Sequence, residues 1–212
     1  MIIRWHRDVL YQRFGKDKKR GEKSINKKNF ILEIARDIFC KKGYSRTTMK
    51  DVVEACGISR GGVYLYFDNV KDLFEAILDQ EVSKDEDFGD KIPEDASYSD
   101  VLALFVKEKK KQILSKKPSL DAAIYEYYFE NKVSGKKNFI KNDFDMSLYV
   151  LEELIKEGIE NGEFYDIDAK AAASNLMYVF EGLKIAARTR GISESTVDEE
   201  IMYVMQGIIA ED

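Results

Sequence analysis

The sequence predicts an all-α fold with a helix-turn-helix near its N-terminus. Its 212 residues include only two prolines, so few positions forbid a helix interior. Apolar side chains recur three and four positions apart through most of the chain, and no sustained alternation marks a strand. Between Thr47 and Phe74 the chain reads TTMKDVVEACGISRGGVYLYFDNVKDLF. Two short helical patterns there flank a glycine turn and a third follows, which is the order of a helix-turn-helix.

Residues 1–28 carry ten basic and three acidic side chains, and the N-terminus lacks the apolar core of a signal peptide. Residues 1–24 read as a basic extension, disordered or partly helical; Lys27 and Lys28 read as phosphate contacts beside the first helix. Ile31, Ile34, Ala35, Ile38 and Phe39 give that helix its apolar stripe. Lys41 and Lys42 suit its C-terminal dipole, and Gly43 ends it. Thr48 stands three residues before Asp51, the spacing of an N-cap facing an acidic third residue. Met49, Val52, Val53 and Cys56 line one face of the helix that follows, and Gly57 offers a left-handed stop. Ser59 can cap the next helix, which opens with Arg60, Gly61 and Gly62 and turns Val63 and Phe67 inward. Asn69 with Asp72 caps another, whose stripe is Val70, Leu73, Phe74, Ile77 and Leu78. Residues 25–80 thus form a small bundle with its own core.

Two glycines inside one helix cost about 1 kcal/mol each relative to alanine. That cost suits a helix whose bare backbone meets a phosphate or a base edge, with Tyr64 and Tyr66 offering hydroxyls to phosphates. Charge is distributed to match. Residues 1–80 hold 17 Lys and Arg against 11 Asp and Glu, while the remainder holds 17 against 28. A basic head on an acidic body suits local docking on DNA.

The stretch KKGYSRTTMKDVVEACGISRGGVYLYFDNVKDLF resembles the DNA-binding domain of the tetracycline-repressor (TetR) family of bacterial regulators. The resemblance implies a TetR-like, all-helical homodimer of about nine helices per chain. An N-terminal three-helix helix-turn-helix domain would bind a palindromic operator in double-stranded DNA. A C-terminal domain, residues 81–212 here, would dimerise and hold a small-molecule effector that releases the DNA. The resemblance implies phosphate contacts from Thr48, Tyr64 and Tyr66, and base contacts from Met49, Arg60, Gly61 and Gly62. Lys28, Thr47, Lys50, Ser59 and Lys71 complete the expected DNA-binding set. There are two departures: Val70, followed by Lys71, stands where the family usually has lysine, and Val53 stands where a small residue is common at the helix crossing.

Beyond residue 80 the periodicity continues. Asp100 can cap a helix through Val101, Leu104 and Phe105 to Ile113, and residues 120–133 form an aromatic-rich one. A long helix carries Ile140, Phe144, Leu148, Leu151, Ile155 and Ile159 and stops at Asn161 and Gly162. Asp168 caps the next, and Thr196 with Glu199 gives a capping box for the last. Those last two helices are apolar on two sides, so each needs two burial partners. A second copy supplies one of them, with Tyr178, Gly182, Ile185, Ile201, Val204, Met205 and Ile208 at the interface. Phe105, Tyr125, Tyr128, Phe129, Phe144, Tyr149, Met177 and Phe180 can line an apolar cavity for a hydrophobic or amphipathic effector.

Other function classes find little support. His6 is the sole histidine, and the two cysteines, Cys40 and Cys56, fall on apolar helical faces. No metal site, cofactor or catalytic constellation is expected from these residues. No run of about 20 apolar residues suggests a membrane span. The expectation is a cytoplasmic, ligand-responsive repressor without enzyme activity. The alternative is a helical small-molecule-binding or scaffolding protein that keeps the fold without specific DNA recognition.

Overall fold

The computed structural model describes residues 22–82, 92–93, 95–132 and 138–210. The expected basic extension up to residue 21, and most of the acidic stretch before Pro93, lie outside the described residues. Nine helices occur among those described. They are α1 (Glu22–Lys42), α2 (Met49–Cys56), α3 (Arg60–Tyr64), α4 (Val70–Val82), α5 (Tyr98–Leu114), α6 (Asp121–Glu130), α7 (Phe139–Glu160), α8 (Ala169–Thr189) and α9 (Glu194–Met205). None is long and apolar enough to cross a membrane.

The described residues fall into two compact units. The head lies within Met1–Asp90 and Lys117–Phe139, the body within Lys91–Lys116 and Ile140–Asp212. In the head, α1 packs against α2, α4 and α6. Its core buries Ile31, Leu32, Ala35 and Phe39 of α1 with Val52, Val63, Phe67, Leu73, Phe74 and Ile77. Sequence order places α6 between two body segments, yet Leu120, Ala123 and Tyr127 belong to this head core.

Aromatic contacts join α6 to the rest of the head. Tyr127 meets Tyr44 at 5.0 Å and Phe74 at 5.2 Å between ring centroids, and Phe74 meets Phe39 at 4.7 Å. Such pairs add about 0.5–1.5 kcal/mol beyond the area they bury. The Tyr127 hydroxyl donates to Glu75 at 2.6 Å, so this buried ring leaves no polar atom stranded. Burial, reinforced by Glu75, pushes its phenol pKa up. Two α6 carboxylates hold the turn after α1: Ser45 N–H donates to Glu126 at 3.0 Å, and Ser45 Oγ donates to Glu130. Gly43, at φ +79°, leaves the room Glu126 occupies, since a Cβ there would stand 2.5 Å from its Oε2. Arg36 donates to both Glu81 oxygens, at 3.0 and 3.2 Å, and so ties α1 to α4.

In the body, α8 packs against α5 and α9, and α5 also touches α9. Leu102, Phe105 and Ile113 of α5 are buried there with Ala173, Leu176, Met177, Phe180 and Leu183 of α8 and Val197, Ile201 and Met205 of α9. Arg188 near the end of α8 donates to the carbonyls of Ser115 and Gln112, which satisfies the C-terminus of α5. Lys110 of α5 pairs with Glu194 and Asp198 of α9.

Two expected caps shift by about one turn. Ser97 caps α5, and Asp100 is the third residue of that capping box. Ser193 caps α9, because the helix begins before Thr196. The aromatic helix α6 ends at Glu130 instead of running on to 133. The caps at Thr48, Ser59 and Asp168 stand as expected. Cys56 is buried and Cys40 half-buried, both are free, and burial pushes both thiols up, away from reactive thiolate.

Gly158 of α7 lies against the Phe164 ring, where a Cβ would come within 2.2 Å of two ring carbons. Gly158→Ala should therefore destabilise the protein by about 1–3 kcal/mol through overpacking. Urea unfolding followed by circular dichroism measures the loss. Gly207→Ala is the control, since a Cβ at Gly207 meets only Val204 O, at an ordinary 3.5 Å.

Candidate nucleic-acid interface

A three-residue connection holds α2 and α3 together. Gly57 ends α2 at φ 63°, ψ 20°, and its N–H donates to Glu54 O. The left-handed turn costs an L side chain far more than glycine. Ser59 then caps α3, its Oγ accepting from Gly62 N–H at 3.2 Å. Val63 and Phe67 point into the head core at 0% and 4% exposure. The opposite face of α3 therefore looks outward: Arg60, Gly61 and Leu65 are exposed. The Arg60 guanidinium rests over the Tyr64 ring at 5.1 Å.

The start of α2 is equally fixed. Asp51 N–H donates to Thr48 Oγ1 at 3.2 Å, and Thr48 N–H donates back to the Asp51 carboxylate at 2.9 Å. Lys42 closes on the same carboxylate at 2.6 Å. These hydrogen bonds, that of Lys42 first, hold the Asp51 carboxyl at about 2.

Most expected DNA-binding residues are accessible to solvent. Lys28, Thr48, Lys50, Ser59, Arg60, Gly61 and Lys71 are exposed, while Gly62, Tyr64 and Tyr66 are half-exposed. Lys28 also lies 5.7 Å from the centroid of the Phe67 ring beneath α3. Lys50 and Lys71 make i,i+4 pairs with Glu54 and Glu75 at 3.7 and 3.9 Å. Loose, exposed pairs of this kind contribute little and leave both ammoniums open to a phosphate.

Two expected contacts face inward instead. Thr47 is 5% exposed and its hydroxyl donates to Gly43 O at 2.6 Å, so it closes the α1–α2 turn. Met49 is 9% exposed and belongs to the head core. Leu65 was not expected at the surface, yet it is 78% exposed at the end of α3. The signal was its place between Tyr64 and Tyr66, on the face away from Val63 and Phe67.

The expected effector and interface residues scatter. Phe105, Met177 and Phe180 are in the body core, with the Phe105 and Phe180 rings 6.0 Å apart. Phe144 of α7 meets Tyr178 of α8 at 5.1 Å, and Tyr149 is exposed. Tyr125, Tyr128 and Phe129 belong to the head unit, where Tyr128 packs on the core and Phe129 is 88% exposed. An open groove of about 300 Å³ lies elsewhere, along Ile167, Ala171, Asn175, Val204 and Ile208. Of the expected interface residues, Ile201 and Met205 are buried inside the protomer, because α9 turns them onto its own body core, and Ile208 is buried in the turn that follows α9. Tyr178, Gly182 and Ile185 remain outward, joined by Met202 and Tyr203, which are 56% and 80% exposed.

Short capped helices, a left-handed glycine between them and an exposed face with arginine and bare backbone define a helix-turn-helix DNA-binding module. Comparison with known proteins carries this to a family. Residues 31–77 match the model for bacterial regulatory proteins of the tetR family, and residues 101–198 match a tetracyclin repressor-like C-terminal domain. The helix-turn-helix transcriptional regulator YfiR of Bacillus subtilis is 30% identical over 157 residues, 74% of this chain and 73% of that one. The regulator QacR of Staphylococcus aureus is 27% identical over 80% of this chain and 90% of its own. A transcriptional regulator from Saccharomonospora viridis, solved in complex with choline, superposes with a TM-score of 0.74 at 19% identity, covering 87% of this chain and 98% of that one. The chain belongs to the TetR family and is a helix-turn-helix transcriptional regulator.

The depressed Asp51 pKa sets a pH dependence. A carboxyl held at about 2 against an ordinary 3.8 stabilises the head fully above its unfolded value, and that contribution is lost as pH falls through about 2. Thermal melts between about pH 5 and pH 2 should therefore fall more steeply for the native chain than for Asp51→Asn.

Proposed function

We propose that this regulator is a repressor whose homodimer binds a palindromic operator and leaves it when a small hydrophobic or amphipathic molecule binds the body. The exposed Arg60–Gly61 edge of α3, backed by buried Val63 and Phe67, is the observation that carries this reading. In the major groove Arg60 donates to a guanine edge, and Gly61 lets the backbone approach, since nothing lies within 4 Å of a Cβ built on it. Tyr64 and Tyr66 hydroxyls, Thr48, Ser59, Lys28, Lys50 and Lys71 fix the module on phosphates. Thr47 and Met49 support the surface from inside. Residues 25–80, buttressed by α6, serve the operator, and the rest of residues 81–212 serves dimerisation and effector binding.

One short helix reads too few base pairs for a unique site, and a twofold partner doubles the footprint. The outward Tyr178, Gly182 and Ile185 of α8 and Met202 and Tyr203 of α9 suit burial by the same helices of a second copy. The match of residues 101–198 to a repressor-like C-terminal domain supports an effector site in the body. Choline in the Saccharomonospora viridis relative is a small molecule held by a protein of this fold. Effector binding then works as a population shift toward a dimer shape that no longer fits two successive grooves. Docking on chromosomal DNA suits a cytoplasmic protein.

A gel-shift scan of the upstream intergenic DNA, repeated with candidate ligands, tests the reading: a salt-dependent band that ligand dissolves is expected. Failure to bind any duplex at moderate salt overturns it. Arg60→Ala should cost about 1–3 kcal/mol on the operator and much less on random DNA. Paired substitutions Tyr178→Asp and Met202→Asp should leave a folded monomer in sedimentation at micromolar concentration, with weakened operator binding.

A further inference from the structure

The two glycines of α3 have different surroundings. Nothing lies within 4 Å of a Cβ built on Gly61. A Cβ on Gly62 would stand 3.2 Å from Ser59 Oγ, 3.6 Å from Lys27 Nζ and 3.7 Å from Ile58 Cδ1. Gly62 is thus flanked by its own protein, tightly at Ser59 and at contact distance by an ammonium delivered from another helix.

We propose that Gly62 is a positioning residue: the place of its missing side chain seats the Lys27 ammonium against α3, and from there Lys27 contacts a DNA phosphate. This rests on the regulator reading above and divides the glycine pair by role. Gly61 stays bare for the DNA, and Gly62 stays bare for Lys27.

Lys27 is exposed near the start of α1, and its side chain reaches across to α3. Among the described residues no ion pair holds Lys27 or Arg60, whereas Lys42, Lys50 and Lys71 each have a carboxylate. Two cations are thus carried at α3, Lys27 from α1 and Arg60 from α3 itself. Such a pair is favourable when an anion arrives, and a phosphate is the anion that a recognition helix meets. A methyl at position 62 would press on the Ser59 cap and strip water from the ammonium. The further atoms of a branched side chain would compete with Lys27 for its seat.

Salt dependence separates this from a purely structural role. The full-length protein is titrated with two labelled duplexes of equal length, one carrying its upstream intergenic DNA and one of random sequence, across a range of KCl. Lys27→Gln should flatten the slope of log Kobs against log[salt] by about 1.8, the loss of one phosphate contact from each subunit of the dimer, and weaken both duplexes by a similar factor. Lys27→Arg should restore the slope. Gly62→Thr should reproduce the flattened slope and add no further flattening in the Lys27→Gln background, as expected for two residues acting through one contact. Gly61→Thr should weaken the intergenic duplex more than the random one at an unchanged slope. Normal binding with an unaltered slope in Lys27→Gln overturns the assignment even if Gly62→Thr fails to fold, and so do additive slope changes in the double variant. Native protein that binds neither duplex overturns the regulator reading itself.

Discussion

The recognition helix is five residues long. A helix of that length is not stable in water, because the cost of nucleation is spread over too few hydrogen bonds. It exists because its surroundings fix it: Ser59 caps one end, Val63 and Phe67 are locked in the head core, and Gly57 sets the turn that leads into it. Its exposed face is then free to be chosen for an outside partner. Arg60, Gly61 and Leu65 occupy positions that make no demand on the interior. Rigid support behind an uncommitted face lets a short segment meet DNA without ordering first, which limits the entropy lost on binding.

The local part of this arrangement was legible in the sequence. Thr48 with Asp51, Gly57, Ser59 and Asn69 with Asp72 are signals within four residues, and the structure places each cap and turn where the spacing indicates. Reading failed where the partner is distant in sequence. Thr47 looks like a surface residue beside a motif, and Met49 fits both the apolar stripe of α2 and the base contact the resemblance implies; the packing of α1 over α2 buries both. Ile201 and Met205 share an apolar helix with Met202 and Tyr203, and Ile208 follows in the turn after it. Periodicity showed that two faces are apolar but not which one the protomer uses itself. The role of Gly62 was hidden for the same reason, since its neighbour Lys27 is thirty-five positions earlier in the chain.

Helix α6 is the largest such surprise. Its aromatic content suggested a ligand pocket, yet Tyr127 completes the head core, and the Glu126 and Glu130 carboxylates hold the turn after α1. The acidic residues that sequence counting assigned to a uniformly negative body thus include two that serve the basic head directly.

Completion of the head by α6 also bears on how the chain is made. A ribosome that has released residues as far as Val82 has delivered every helix of the DNA-binding motif, but Phe39, Tyr44 and Phe74 still lack the ring that covers them. Their apolar faces stay open to chaperones or to neighbouring nascent chains until Tyr127 emerges. The ring and the two carboxylates that complete the operator-reading module therefore arrive only after the first helix of the body has been synthesised, and a fragment cut at the end of α4 would lack them.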